Sequence, residues 1–138
     1  MEVKGKRLGA LVDTRATVSF VQLGVVKKLG MEGKVGNWEG SVRFGNGEVE
    51  KMSGRIRLPL EVEGESFVMD AYVLKGKGPG LILGFPFLDK HRLLVDCHQQ
   101  VLRFAGGREL ACYPVQSEER SKRKGSFFRE EIEGNKPL

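Results

Sequence analysis

Apolar residues along this chain alternate with polar ones more often than they recur at helical spacing, which predicts a protein built mainly from strands. The alternation is cleanest from Arg55 to Val62 and from Ser66 to Leu74, two runs separated by a turn at Glu63-Gly64-Glu65 that read as an antiparallel pair. Trp38 to Gly54 predicts a projecting hairpin, because two alternating runs flank Gly45-Asn46-Gly47, a strong turn signal. Near the N-terminus, Met1 to Lys4, a turn at Gly5, and Arg7 to Asp13 read as a short hairpin whose second strand grows more apolar until it delivers an aspartate. Leu81-Ile82-Leu83-Gly84 is a continuous apolar run closed by glycine. It predicts a fully buried strand that another backbone approaches closely. Leu93 to Asp96 and Val101 to Phe104 predict one more hairpin, and Leu110 to Val115 a last strand.

Helical spacing appears twice. Phe20, Leu23, Val26 and, one face over, Val25 and Leu29 recur at helical spacing after Ser19, which predicts a short helix capped by Ser19, with Lys27 and Lys28 in its last turn and Gly30 as its stop. Pro86 to His91 predicts a second, with proline in its first turn.

The chain has 138 residues, enough for one well-filled core and too few for two. Residues 1–115 are therefore expected to form one domain. Residues 116–138, dense in charge and without a sustained period, read as a mostly disordered tail or linker, with an amphipathic turn of Phe127, Phe128 and Ile132 as the alternative. The net charge of +5 is spread among interspersed acids and bases, which argues against nucleic acid as a partner. A basic β-rich nucleic-acid binder would have to stack bases on Trp38, Phe44 and Tyr72. Cys97 and Cys112 predict free thiols in a reducing compartment. Nothing reads as a membrane span or a signal peptide, so the expectation is a soluble, intracellular, cytoplasmic protein.

Asp13 is the chemical candidate, since a carboxylate at the end of a buried strand needs a reason to be there. Asp70, Asp89 and Asp96 lack a following Thr or Ser and Gly. His91 and His98 complete no metal set, and Ser19 has no partnering histidine signal.

ALVDTRATVSF leading to KKLG, and LPLEVEGESFVMDAYVL running into LILGFPFLDKHRLLVDC, resemble the retroviral-type (retropepsin-like) aspartic proteases. The resemblance is strongest to the protease segment of LTR retrotransposon polyproteins and their domesticated relatives, and it extends from about Val3 to Ala105. It implies an all-β, closed acid-protease barrel with one or two short helices, acting as a homodimer. Catalysis would then use Asp13 from each chain at a two-fold axis, the pair sharing one proton and activating a water. By the same resemblance Thr14 bonds across the axis, and Thr14, Arg15 and Ala16 support the active-site loop. Phe44, Gly45, Asn46 and Gly47 form a flap that closes over an extended peptide or polyprotein substrate. Leu81, Ile82, Leu83 and Gly84 line the substrate pocket and let the Asp13 loop cross closely. No metal or cofactor is required.

Arg15 departs from the pattern, which has glycine there. A position needing positive φ would be strained by arginine, and a cation beside the aspartate pair opposes the shared proton. Three readings follow: a working protease with Arg15 turned away from the cleft, an inactive copy that keeps the dimeric fold, or a peptide-binding or assembly module.

Overall fold

The structure, a computed structural model, describes residues 1–44, 47–76 and 78–112, and the backbone of 130–134. Gly45 and Asn46 of the expected flap tip lie outside the described residues, as do 113–129 and 135–138.

Strands β1 (Glu2–Val3) and β2 (Lys6–Arg7) form a tight hairpin around Lys4 and Gly5, both with positive φ. The expected long second strand is broken after Arg7, and β3 (Ala10–Val12) follows as a separate element. Next come β4 (Ser19–Gln22) and helix α1 (Leu23–Lys28). The helix starts three residues later than its periodicity suggests. The reason is long-range: β4 is buried at all four positions, lying between two other strands, and that pairing outweighs local helical spacing.

The two hairpins follow as expected. Strand β5 (Gly40–Phe44) pairs with the first part of β6 (Val49–Val62), and β6 pairs along most of its length with β7 (Glu65–Lys75). Buried residues recur every second position along β6, from Met52 through Ile56, Leu58 and Leu60 to Val62. Between Met52 and Gly54 the register shifts, and a Cβ on Gly54 would stand 2.3 Å from Val35 Cγ1 and 2.7 Å from the Gly36 carbonyl oxygen. Only glycine lets the loop before β5 cross there. Strand β8 (Leu81–Leu83) leads into helix α2 (Phe85–Lys90), and β9 (Leu94–Asp96), β10 (Val101–Arg103) and β11 (Glu109–Ala111) make a separate three-stranded sheet. Strand β12 (Glu130–Gly134) pairs with β5.

The main sheet runs β12-β5-β6-β7-β4-β8-β3, with β1 paired to β6 and β2 to β1. Its centre is covered on both faces. Val21, Val73, Leu81 and Leu83 face one apolar cluster, while Phe20, Tyr72, Leu74 and Ile82 face another that includes Trp38, Val42 and Phe44. The expected all-β class with one or two short helices is what the structure has, the described residues forming two short α-helices. No helix among the described residues is long and apolar enough to cross a membrane.

Leu58 is wholly buried in the larger cluster. Leu58→Ala is expected to cost about 3 kcal/mol, read as a lower denaturant midpoint with an unchanged slope.

Candidate active site

Three strands converge on Asp13. Strand β8 is inserted between β3 and β4, parallel to the first (Ala10↔Leu81, Leu11↔Ile82, Val12↔Leu83) and antiparallel to the second (Phe20↔Ile82, Val21↔Leu81). The chain leaving β3 must therefore pass over the end of β8 to enter β4. Residues 13–18 make that crossing, and Asp13 is its first residue.

Backbone hydrogen bonds fix the crossing. The Asp13 N–H donates to the Leu83 carbonyl at 3.0 Å, and the Phe85 N–H to the Ala16 carbonyl at 2.9 Å. Between them the Gly84 N–H donates to the Ser19 hydroxyl oxygen at 2.9 Å, in a buried bond. Ser19, which its position suggested as a helix cap, instead pins β8 to β4. Sequence reasoning missed this role because its partner lies 65 residues away.

Asp13 to Ala16 form a turn closed by the Ala16 N–H on the Asp13 carbonyl at 3.1 Å. The described non-glycine residues with positive φ are Lys4, Glu63, Arg92 and Gln100, so neither central residue, Thr14 nor Arg15, is left-handed. A turn with negative φ at both centres belongs to the type I class, which admits most residues and favours aspartate in first place. The Asp13 side chain shows why: its Oδ1 accepts the Arg15 N–H at 3.1 Å, locking the turn from within. The backbone objection to arginine therefore does not apply.

Burial separates the residues of this turn. Asp13 is 4% exposed and Ala16 fully buried, whereas Thr14 and Arg15 face outward. Ala16 belongs to the same apolar cluster as Val42 and Phe44 of β5, and the Phe20 and Phe44 rings lie 6.2 Å apart. Phe44, Leu81, Ile82 and Leu83 are all buried, and Gly47 continues the hairpin with positive φ. Gly84 is packed against the crossing: a Cβ there would meet the Val18 carbonyl oxygen at 2.3 Å.

Two cavities flank this arrangement. One of about 520 Å³, bordered by Lys34, Arg55, Arg57, Tyr72 and Lys90, does not have Asp13 in its lining. Another of about 350 Å³ reaches the turn through Thr14, beside Phe85, Leu88, Arg92 and Val95. The aromatic residues that a nucleic-acid platform would need are enclosed, with Trp38 4%, Phe44 3% and Tyr72 9% exposed, so they offer no stacking surface. Among the described residues no group of three or more His, Cys, Asp or Glu side chains is placed to hold a metal.

A strand threaded between two others beneath an Asp-Thr turn is the retropepsin-like aspartic protease fold. The same fold appears in the crystal structure of the retroviral protease-like domain of Ddi1 from Leishmania major, with a TM-score of 0.69, 20% identity, and coverage of 84% of this chain and 92% of that one. Residues 1–90 match the family described as "gag-polyprotein putative aspartyl protease", and the chain belongs to that family. Among curated proteins it is 25% identical over 108 residues to DNA damage-inducible protein 1 of Candida glabrata, covering 77% of this chain and 25% of that protein. It is equally identical over 108 residues to Protein DDI1 homolog 1 of Caenorhabditis elegans, covering 78% of this chain and 28% of the relative. The chain thus spans about a quarter of the length of these relatives.

Proposed function

We propose that this domain is a retropepsin-like aspartic endopeptidase acting on extended peptide or polyprotein segments. The observation that carries the reading is Asp13 itself, a buried carboxylate held by its own turn at the crossing of β8, followed by an outward-facing Thr14. One chain supplies one such aspartate, and peptide hydrolysis of this kind needs two. One carboxylate takes a proton from water while the other donates to the scissile carbonyl, so the active species is a homodimer with the Asp13 residues facing across a two-fold axis. Thr14 and the 53%-exposed Phe85, which border one cavity, provide surface for that contact. The β5–β6 hairpin serves as the flap over the peptide. Neither metal nor cofactor takes part.

In this reading Arg15 tunes the site rather than breaking the fold. Its backbone is accommodated, and its charge acts on the aspartate pair by favouring the doubly ionised form. Removing that charge restores the shared proton. Arg15→Gly is therefore expected to raise kcat/KM on a library of extended peptides by about tenfold, the effect of 1.4 kcal/mol on the barrier. The measurement pairs hydrolysis rates with sedimentation at matching protein concentrations. No hydrolysis by either protein, or a strictly monomeric species at high concentration, rejects the endopeptidase assignment. Equal rates in both would place the guanidinium outside the cleft.

A further inference from the structure

Hydrogen-bonding capacity along the hairpin is unevenly used. Strand β6 pairs with β5 through Val49 to Met52 and with β7 from Lys51 onward, so both its edges are committed. Strand β5 has one edge on β6, and its outer edge is where the hairpin can accept a further strand. In the structure that edge is occupied by the chain itself. Strand β12 lies on it antiparallel and in unbroken register: Glu130↔Phe44, Glu131↔Arg43, Ile132↔Val42, Glu133↔Ser41 and Gly134↔Gly40.

We propose that the outer edge of β5 is a strand-accepting surface and that residues 130–134 are its resident occupant, which other extended chains must displace. The consequence for catalysis rests on reading the hairpin as a flap; the surface itself does not.

The register also states what kind of strand fits. Along β5, Val42 is fully buried and Arg43 is exposed, so opposite partners alternate between an apolar and a charged environment. The observed register sets Ile132 across from Val42 and Glu131 across from Arg43. A slip of one residue would set a glutamate across from Val42. Opposite charges and apolar pairs across a ladder favour the register seen. The preferred partner is an extended segment alternating acidic and apolar residues, as Glu131-Ile132-Glu133 does.

Ladder geometry tells which amides report on it. The Phe44 N–H donates to the Glu48 carbonyl at 2.9 Å, toward β6. In an antiparallel ladder N–H groups alternate, so those of Ser41 and Arg43 turn to the outer edge, and Glu131 and Glu133 are the residues of β12 whose N–H groups turn back toward β5. Proline at either of those two positions removes a ladder donor.

Residue-resolved amide exchange on the whole chain tests this. In Glu131→Pro, and independently in Glu133→Pro, exchange at Ser41 and Arg43 should accelerate at least about tenfold, while Val42 and Phe44 keep their protection. A synthetic peptide with the sequence of residues 128–136, FREEIEGNK, added to either variant should restore protection at Ser41 and Arg43. Unchanged exchange in both variants overturns the occupancy, and failure of the peptide to restore protection overturns the strand-accepting surface. Hydrolysis is measured on the same samples: a higher kcat/KM in the proline variants supports competition between β12 and substrate. An absence of hydrolysis in all proteins rejects the endopeptidase reading, while the exchange rates decide the edge assignment on their own.

Discussion

Replacement of Asp13 by asparagine should lower peptide hydrolysis by about a thousandfold or more, the scale expected when the group that accepts and donates the reaction's protons is lost. The substitution is chosen because it leaves the turn intact. An asparagine side chain keeps an Oδ1 that can accept the Arg15 N–H, and it matches aspartate in shape, so the bond that locks the turn from within survives. The thermal midpoint should therefore stay close to that of the parent protein while the rate falls. If rate and stability fall together, the carboxylate is needed to hold the crossing. If neither changes, hydrolysis does not pass through Asp13 and the aspartic mechanism is lost with it. The comparison is informative because the residue is 4% exposed and its side chain holds the turn, so a structural role and the proposed chemical one have to be separated.

Much of this site is legible in the order of residues along the chain. The run Ala10-Leu11-Val12 ending at Asp13, and the run Leu81-Ile82-Leu83 ending at Gly84, each carry a local signature of a buried strand, and the fold brings the two together as parallel neighbours. The turn at Glu63 and Gly64 is legible for the same reason, since a short polar turn between alternating runs needs no distant information. What stays hidden depends on partners far along the chain. Ser19 to Gln22 carry apolar residues that suit either a helix face or a strand buried on both sides, and the choice is made by β7 and β8, some fifty or more residues later. Arg15 shows a different gap. Family resemblance asks for glycine, but whether the backbone needs it depends on the sign of φ, and a turn with negative φ removes that backbone need. Strand β12 is the hardest of all: a glutamate-rich segment carries little burial signal, and its extended form comes from the edge of β5 that it meets.

Gly84 is where the fold and the site depend on a single missing atom. Its φ of −85° and ψ of 171° are open to any residue, so conformational freedom is not the reason for glycine here. Space is the reason. An added Cβ would stand 2.3 Å from the Val18 carbonyl oxygen, 2.6 Å from the Val18 carbonyl carbon and 3.1 Å from the Ala16 carbonyl oxygen, all backbone atoms of the crossing that carries Asp13. Backbone cannot swing aside as a long side chain can. To admit a methyl group the crossing must lift off β8, which breaks the buried Gly84 to Ser19 hydrogen bond and the Phe85 to Ala16 bond that frame the aspartate turn. Gly84→Ala is accordingly expected to cost more than about 4 kcal/mol, in the range reserved for overpacking combined with loss of buried hydrogen bonds. Gly24 in α1 provides the matched control. A Cβ there meets nothing within 4 Å, and alanine favours the helix by about 1 kcal/mol, so Gly24→Ala should be neutral or stabilising. Denaturant unfolding of the two alanine variants side by side distinguishes the two cases: a Gly84→Ala protein as stable as the Gly24→Ala protein would mean that the Asp13 crossing does not rest on β8 as closely as described.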